Sequence, residues 1–141
     1  MCYDLVMPDA DSTAFLHKAM SLCATLDITA EQFTRECVTL SLPWADTLCT
    51  TGGLLHGGAI MALADSAGGS CAFLNLPDGA VGTSTIESKT NFLGAARDGV
   101  VTAEARPLHV GSTTIVVETD VTNNGRRIAK VTQTQIVLKA K

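Results

Sequence analysis

Charged and aromatic side chains are scarce in this sequence. Only 17% of its 141 residues are Asp, Glu, Lys or Arg, 4% are aromatic, and the formal net charge is −4 at pH 7. The sequence contains no run of basic residues, and a chain without a basic patch is poorly suited to bind nucleic acid. General nucleic-acid binding is therefore not expected.

The usual features of exported and membrane proteins are also missing. Residues 1–4 show neither a basic segment nor a long apolar run, so we expect no signal peptide. Residues 47–64 carry no Asp, Glu, Lys or Arg, but they are rich in Thr and Gly and contain His56, which argues against a membrane span. The odd number of cysteines and the lack of a Cys-x-x-Cys pair predict reduced thiols in a cytoplasmic protein: Cys2, Cys23, Cys37, Cys49 and Cys71.

Apolar residues, by contrast, make up 46% of the chain. A chain of 141 residues can bury its own core, and we expect a single domain over residues 1–141. So apolar a composition leaves apolar side chains on the surface of a monomer, which favours a homo-oligomer. The three histidines are scattered, so we predict no metal site and no organic cofactor.

The spacing of apolar residues predicts two helices and five strands. The first helix spans residues 12–25, with an apolar stripe at Phe15, Ala19, Cys23 and Leu26. The second, longer helix runs from about Gly57 to Leu74 and is followed by a turn. Alternating patterns predict strands at residues 32–42, 83–92, 100–109, 113–122 and 127–138, with a tight hairpin at Asn124-Gly125.

Short turns make the later strands antiparallel to their neighbours. An antiparallel sheet of about five to six strands has one apolar face, and one long helix can cover that face. The predicted fold class is therefore α+β, with the sheet wrapped around the helix. The domain divides into an N-terminal helical segment, residues 1–28, and a core, residues 30–138.

The stretch from Gly53 to Gly69 contains the residues that point to chemistry. Asp65 is the only charged residue between Ala59 and Leu74. A helix that is apolar all round is normally buried, so this carboxylate needs a partner, water or a function. If the helix begins near Gly57, its first N–H groups are free to bind a negative charge that develops on an oxygen atom.

The motif in this stretch resembles a known family. Gly53-x-x-His56-Gly57-Gly58, with Asp65 nine residues after His56, is similar to the hotdog-fold acyl-CoA thioesterases of the phenylacetate-pathway type. These enzymes are part of the wider 4-hydroxybenzoyl-CoA thioesterase superfamily. The segment Thr85-Ile86-Glu87-Ser88-Lys89-Thr90-Asn91-Phe92-Leu93 resembles the strand that follows the helix in this family. The resemblance covers residues 30–138 and implies a hotdog fold and hydrolysis of an acyl-CoA substrate.

The resemblance also implies roles for particular residues. Asp65 corresponds to the helix carboxylate that acts as nucleophile or as general base on water. Gly57 corresponds to the glycine whose N–H polarises the thioester carbonyl, and His56 to the histidine that orients the site or contacts the thioester. Thr85 corresponds to a Ser or Thr that positions water or substrate.

One position departs from the family pattern. The family usually has Asn six residues before the histidine, where this sequence has Thr50. No Asn occurs from Leu42 to Leu74, so a small shift of the alignment does not restore it. The Thr50 hydroxyl could hold a water molecule, but it is not equivalent to an amide.

Helix geometry adds a constraint that does not depend on the resemblance. Gly57 and Asp65 are eight residues apart, about 12 Å along a helix axis. One carbonyl group cannot contact both, because each must lie about 3 Å from it. If both residues are catalytic, they belong to different subunits. A two-fold dimer with antiparallel central helices satisfies this condition, and the family forms such dimers or dimers of dimers.

The candidate substrate-binding residues are less specific. Pocket walls are expected from Gly58, Trp44, Leu54, Met61 and Phe92. Trp44 could equally pack on the core, and Arg106, a candidate for the phosphates of coenzyme A, could be an ordinary surface charge. Two other functions stay open: a hotdog protein that binds acyl-CoA as a sensor or carrier without turnover, and a hotdog hydratase, which the absence of an Asp-x₄-His pair disfavours.

Overall fold

The computed structural model describes residues 8–141, which form a six-stranded antiparallel sheet wrapped around one long helix. The helices are α1 (Ala10–Ala19), α2 (Ser21–Thr25) and α3 (Gly57–Leu74). The strands are β1 (Thr29–Phe33), β2 (Val38–Pro43), β3 (Ala80–Phe92), β4 (Val100–Val110), β5 (Thr114–Asn123) and β6 (Arg126–Lys139). Their order across the sheet is β1-β2-β4-β5-β6-β3. The predicted α+β hotdog fold is confirmed, and α3 has the predicted limits.

The prediction of one strand over residues 32–42 is wrong, because the chain reverses direction between β1 and β2. The Thr34 N–H donates to the Cys37 carbonyl at 3.0 Å, and the Cys37 N–H donates to Thr34 Oγ1 at 3.2 Å. A threonine side chain therefore closes this turn without Gly, Pro or Asn. The polar run Thr34-Arg35-Glu36 interrupts the alternation at this turn, and the prediction passed over it because it contains no Gly, Pro or Asn.

The N-terminal helix also differs from its prediction. Met20 adopts an extended conformation (φ −132°, ψ 92°) and separates α1 from α2. Cys23 of the predicted stripe is buried, but Phe15 is 46% exposed and Leu16 takes its place in the core. Residues 1–7 of the predicted N-terminal segment, including Cys2, lie outside the described residues.

Helix α3 is the central element of the core, but one side of it is open. Its buried side packs against the sheet and includes Ile60, Leu63, Ala64, Ala67 and Cys71. Each large aliphatic side chain buried in this way contributes about 1.5–3 kcal/mol to the stability of the folded state. By length and composition α3 could cross a membrane, yet half of it is buried inside this fold.

The open side of α3 follows a four-residue repeat. Met61, Asp65 and Phe73 are exposed on it, and Gly57 and Gly69 are partly exposed. The expectation of a helix buried on all sides is therefore wrong for this stripe, since the sheet of a single chain covers only the other sides.

The hairpins of the sheet follow their sequence signals. Asn124 and Gly125 both have positive φ (51° and 75°), as a two-residue β5–β6 turn requires. Strand β5 alternates between partly exposed and buried residues, with Ile115, Val117 and Val121 facing the core as predicted. Strand β3 lies at the edge of the sheet, pairs with β6, and is exposed along most of its length.

Candidate active site

Asp65 lies in the middle of α3 and receives two hydrogen bonds from the sheet. Thr85 Oγ1 of β3 donates to Asp65 Oδ1 at 2.7 Å, and Gln133 Nε2 of β6 donates to the same oxygen at 3.0 Å. Within residues 8–141 neither of these bonds, nor any other, ends on Oδ2. The structure thus brings Asp65 and Thr85 together, with one carboxylate oxygen fixed and the other available.

A β-bulge explains why Thr85 reaches the helix. The pairing of β3 with β6 shifts register between Thr85 and Glu87, so Ile86 is an extra residue in β3. A bulge of this kind bends a strand and re-aims its side chains. It turns the Thr85 hydroxyl toward Asp65 and leaves Ile86 57% exposed.

Two buried glutamines of β6 support this contact, and sequence analysis missed both. Gln135 Nε2 donates to Thr85 Oγ1 at 2.6 Å, and Thr83 Oγ1 lies 3.1 Å from Gln135 Oε1. Because an amide nitrogen can only donate, the Thr85 hydroxyl proton is left for Asp65. The available signal was that Gln133 and Gln135 occupy inward positions of β6 between buried Val131 and Val137.

Gln133 fits beside the helix only because residue 68 is glycine. A Cβ atom at Gly68 would lie 2.2 Å from Gln133 Oε1, a distance that no side chain could adopt. Gln133 is fully buried, and its Oε1 has no hydrogen-bond partner among residues 8–141. A buried oxygen without a partner costs about 1–3 kcal/mol, so this residue is not chosen for stability alone.

His56 caps the N-terminus of α3. Its Nδ1 accepts a hydrogen bond from the Gly58 N–H at 2.7 Å, which places the proton of a neutral ring on Nε2. A Cβ at Gly58 would lie 2.9 Å from this Nδ1, so glycine leaves room for the cap.

The Gly57 N–H is a hydrogen-bond donor that the His56 cap does not use. It has no acceptor among the described residues, since Gly57 is the first residue of α3 and its neighbour Gly58 donates to His56. The Phe92 ring lies beside Gly57, and a Cβ atom added at Gly57 would lie 3.1 Å from Phe92 Cζ. An oxygen atom with negative charge could bind to this free N–H group.

The other predicted site residues lie at several places. Thr50 is exposed in the loop before α3, where its N–H donates to the Leu54 carbonyl at 2.8 Å. Trp44 is half-buried and its Nε1 donates to the Gly53 carbonyl at 3.2 Å, so it fixes this loop. Met61 is exposed on the open side of α3, one turn before Asp65.

Arg106 lies apart from Asp65. It is on the outer face of β4, since Ala103 and Ala105 occupy the inner face, and it pairs with Glu104 at 2.8 Å. The hydrogen bond that Arg106 donates to the Glu104 carboxylate raises the pKa of Arg106. Within one chain this guanidinium group is therefore on the opposite side of the sheet from α3.

The three buried cysteines do not provide a nucleophile at this site. Burial raises the pKa of Cys71 to about 11, and it also raises the pKa of Cys23 and of Cys37. A thiol with a raised pKa contains little of the reactive thiolate near neutral pH. These residues, which are free thiols as predicted, serve as small core side chains.

Comparisons with known proteins find relatives of this chain in sequence and in structure. Residues 52–130 match the family described as the thioesterase superfamily. A provisionally assigned esterase of Saccharolobus solfataricus is 34% identical over 125 residues, 88% of either protein. The 1,4-dihydroxy-2-naphthoyl-CoA hydrolase of Escherichia coli is 33% identical over 87 residues, 62% of this chain and 63% of that protein.

The structural comparison covers nearly the whole chain. The crystal structure of a thioesterase variant from Pseudomonas aeruginosa superimposes with a TM-score of 0.84 at 30% identity, over 95% of this chain and 96% of that chain. The sequence match contains the motif from His56 to Asp65 and also Thr85. The chain therefore belongs to the thioesterase superfamily.

Proposed function

We propose that this protein hydrolyses acyl-CoA thioesters to the free acid and coenzyme A, at a site shared by two copies of the chain. The observation that carries the proposal is Asp65, a carboxylate on an open helix face whose Oδ1 is held by Thr85 and Gln133. The Escherichia coli relative is named as the hydrolase of a CoA thioester, which supports this substrate class.

The same arrangement of Asp65 and Gly57 allows two routes of thioester hydrolysis. In one, Asp65 removes a proton from water as the water oxygen attacks the carbonyl carbon; in the other, Asp65 itself attacks and water then hydrolyses the resulting anhydride. In both routes the carbonyl oxygen gains negative charge and accepts a hydrogen bond from the Gly57 N–H. The C–S bond then breaks and the coenzyme A thiolate leaves. A donor of this kind contributes about 10²–10³ in rate.

Two features of the chain favour a two-subunit site. Gly57 and Asp65 are eight residues apart on α3, about 12 Å along its axis at 1.5 Å per residue. One carbonyl group therefore cannot contact both residues of the same chain. The open stripe of α3 and the edge strand β3 leave large apolar side chains uncovered, among them Met61, Phe73, Val81, Ile86 and Phe92.

Pairing of β3 with a second copy would cover both regions at once. An edge strand offers unpaired N–H and C=O groups to a partner strand. A two-fold axis at β3 would run the two α3 helices antiparallel and bring each Gly57 toward the partner's Asp65. A dimer or a dimer of dimers therefore forms two identical sites per pair of chains.

The remaining site assignments are parts of this proposal. Met61 and Phe92 flank the open face of α3 and Gly57, which supports contacts with the substrate near the thioester. Thr50 would hold water through its hydroxyl, while Trp44, Leu54 and Gly58 shape the loop and helix start around His56. Arg106 would bind a coenzyme A phosphate only by exchanging its Glu104 partner. The free cysteines support a reducing, cytoplasmic location.

Release of free thiol from acyl-CoA tests the proposal. We expect the native protein to turn over and Asp65→Asn to lose about 10²–10⁴ in kcat, the range for general acid–base groups. Asp78→Asn is the matched control, because Asp78 is an exposed carboxylate in the turn after α3. Both variants should keep the native circular dichroism spectrum and oligomeric state.

A binding measurement on the same proteins identifies the alternative. Tight binding of acyl-CoA esters without thiol release by the native protein would contradict hydrolysis and indicate a sensor or carrier. Thr50, which replaces the amide typical of the family, would then be the residue to examine first.

A further inference from the structure

Gln135 occupies an inward position of β6 where an apolar side chain would be the ordinary choice. It is 1% exposed and lies between two other buried residues of the same face, Gln133 and Val137. A buried amide costs free energy unless both its nitrogen and its oxygen are hydrogen-bonded. Here both are, since Nε2 bonds to Thr85 Oγ1 at 2.6 Å and Oε1 to Thr83 Oγ1 at 3.1 Å. The amide therefore links two hydroxyl groups of β3.

The chemistry of the four groups fixes the direction of this link. The ionised carboxylate of Asp65 can only accept, so its 2.7 Å contact with Thr85 uses the hydroxyl proton of Thr85. The group on the other side of Thr85 must then be a donor, which is the amide nitrogen of Gln135. The amide oxygen faces Thr83, whose hydroxyl donates to it. The donors thus run in one sequence, from Thr83 through Gln135 and Thr85 to Asp65.

The sheet holds Thr83 at the start of this sequence. Its Oγ1 lies 2.9 Å from the Ile136 carbonyl oxygen and 3.1 Å from Gln135 Oε1, so one proton is shared between two acceptors. Residues 82–85 pair in unbroken register with residues 135–138, and β3 shifts register on both sides of this segment. The short regular segment therefore keeps both threonine hydroxyls opposite the Gln135 amide.

We propose that Gln135 and Thr83 are positioning residues for the hydrolysis and that they act on Asp65 through the Thr85 hydroxyl. The inference rests on the proposed function. With its proton committed to Asp65, Thr85 keeps Oδ1 in place and leaves Oδ2 as the oxygen that reacts. Without the Gln135 amide the hydroxyl would be free to rotate, and Asp65 would lose one of its two donors for part of the time.

The same sequence of donors limits what Thr85 can do. Its proton is used by Asp65 and one of its lone pairs by Gln135. Thr85 therefore cannot donate to the carbonyl oxygen of the substrate, and the Gly57 N–H is left as the oxyanion donor. The second lone pair of the hydroxyl can accept a hydrogen bond from a water molecule, so Thr85 holds water only as an acceptor.

Single substitutions test the two positioning residues. Gln135→Met keeps the length of the side chain and removes the amide. We expect it to lower kcat about tenfold, the rate equivalent of one hydrogen bond, and to change KM by less than about twofold because Gln135 is buried behind Thr85. The matched control is Gln32→Met at an exposed position of β1, which should leave kcat and KM unchanged.

Thr83→Val covers the case in which Gln135→Met does not fold, since valine has the shape of threonine. It should lower kcat about threefold, a smaller loss because Thr83 acts through two further residues. Thr83→Ser keeps the hydroxyl and should restore the native kcat. Thr132→Val, the same change on the outer face of β6, should have no effect.

A double-mutant cycle separates positioning from a role in the fold. Thr85→Val removes the hydroxyl through which Gln135 is proposed to act. On that background Gln135→Met should cost no further kcat, although it costs about tenfold in the native chain. Losses that multiply would show that Gln135 acts independently of Thr85 and would overturn the proposal.

Side-chain amide signals test the relay without turnover. Glutamine occurs only at Gln32, Gln133 and Gln135, so selective ¹⁵N labelling of glutamine side chains gives three resolvable groups in an NMR spectrum. We expect the Gln135 amide hydrogens to exchange slowly with solvent in the native protein and faster in Thr85→Val. Thr83→Val should shift the Gln135 signal, and neither variant should move that of Gln32.

The kinetic and NMR results together separate this inference from the proposed hydrolysis. If acyl-CoA is hydrolysed but Gln135→Met and Thr83→Val keep the native kcat, hydrolysis holds and the positioning role fails. If no acyl-CoA is hydrolysed while the Gln135 signal responds to both threonine variants, hydrolysis fails and the relay to Asp65 holds. A Gln135 signal that responds to neither variant overturns the relay whatever the kinetics.

Discussion

At the scale of single residues, the hydrogen bonds around Asp65 form a chain of donors that ends at its carboxylate. Gln135 donates to Thr85, and Thr85 and Gln133 donate to Asp65 Oδ1. Donors aimed at a carboxylate fix its orientation. Gln133 donates its hydrogen bond to Asp65 although its own buried Oε1 has no partner in the described chain. The residue therefore acts on the chemistry through Asp65, as a positioning residue.

Gln133→Met should consequently change stability and activity in opposite directions. Methionine keeps the length of the side chain and removes both the donor and the unpartnered oxygen, so the free energy of unfolding should stay equal or rise by about 1 kcal/mol. We expect kcat to fall roughly tenfold with little change in KM, because the donor orients the carboxylate and does not bind substrate. Urea unfolding and steady-state kinetics measure the two effects.

The control for this variant is Gln32→Met, the same change at an exposed position of β1. It should alter neither kcat nor KM. A Gln133→Met protein that loses stability and activity together would show that Gln133 serves the fold alone.

At the scale of secondary-structure elements, the start of α3 combines two tasks. His56 closes the helix by accepting from Gly58, and this leaves Gly57 as the free donor. His56→Ala should destabilise the protein by about 1 kcal/mol, the usual cost of losing an N-cap side chain. His56→Asn should recover most of that loss, because asparagine is among the best N-cap residues. The midpoints of urea unfolding report both values; equal losses in the two variants would contradict the capping role.

The elements that the sequence predicted well are those whose cause is local. Helix α3 was predictable because an apolar run begins at two glycines and ends at a turn, and Asp65 was visible as its one charge. The split between β1 and β2 was not, since a Thr34 side chain closes that turn without the usual turn residues. Gln133 and Gln135 were missed because their role depends on β6 lying across from α3 and β3, which no local pattern reveals.

At the scale of the whole molecule, the chain covers its core on one side only. The sheet buries one side of α3, while the opposite stripe and the edge strand β3 stay exposed with their apolar side chains. Both halves of the proposed site lie on this open surface, Gly57 at one end of it and Asp65 near its middle. A single arrangement, the two-fold dimer, would cover the apolar surface and complete the site.

Removal of one N–H group tests the Gly57 half of this site. Gly57→Pro deletes the donor at the first helical position, where proline is well tolerated, and His56 already has the extended conformation that precedes proline (ψ 134°). We expect a loss of about 10²–10³ in kcat. Gly57→Ala adds the same contact with Phe92 but keeps the N–H, so it should lose much less.

Mixing the two defective chains then tests whether the site is shared. Neither Asp65→Asn nor Gly57→Pro should be active alone, but a mixed dimer contains one site with Gly57 from the first chain and Asp65 from the second. Random reassociation of equal amounts after unfolding should restore about a quarter of native activity, since half of the dimers are mixed and each has one intact site. Thiol release measured before and after reassociation gives this fraction. A mixture that stays as inactive as its components, although native mass spectrometry shows mixed dimers, would refute the shared arrangement.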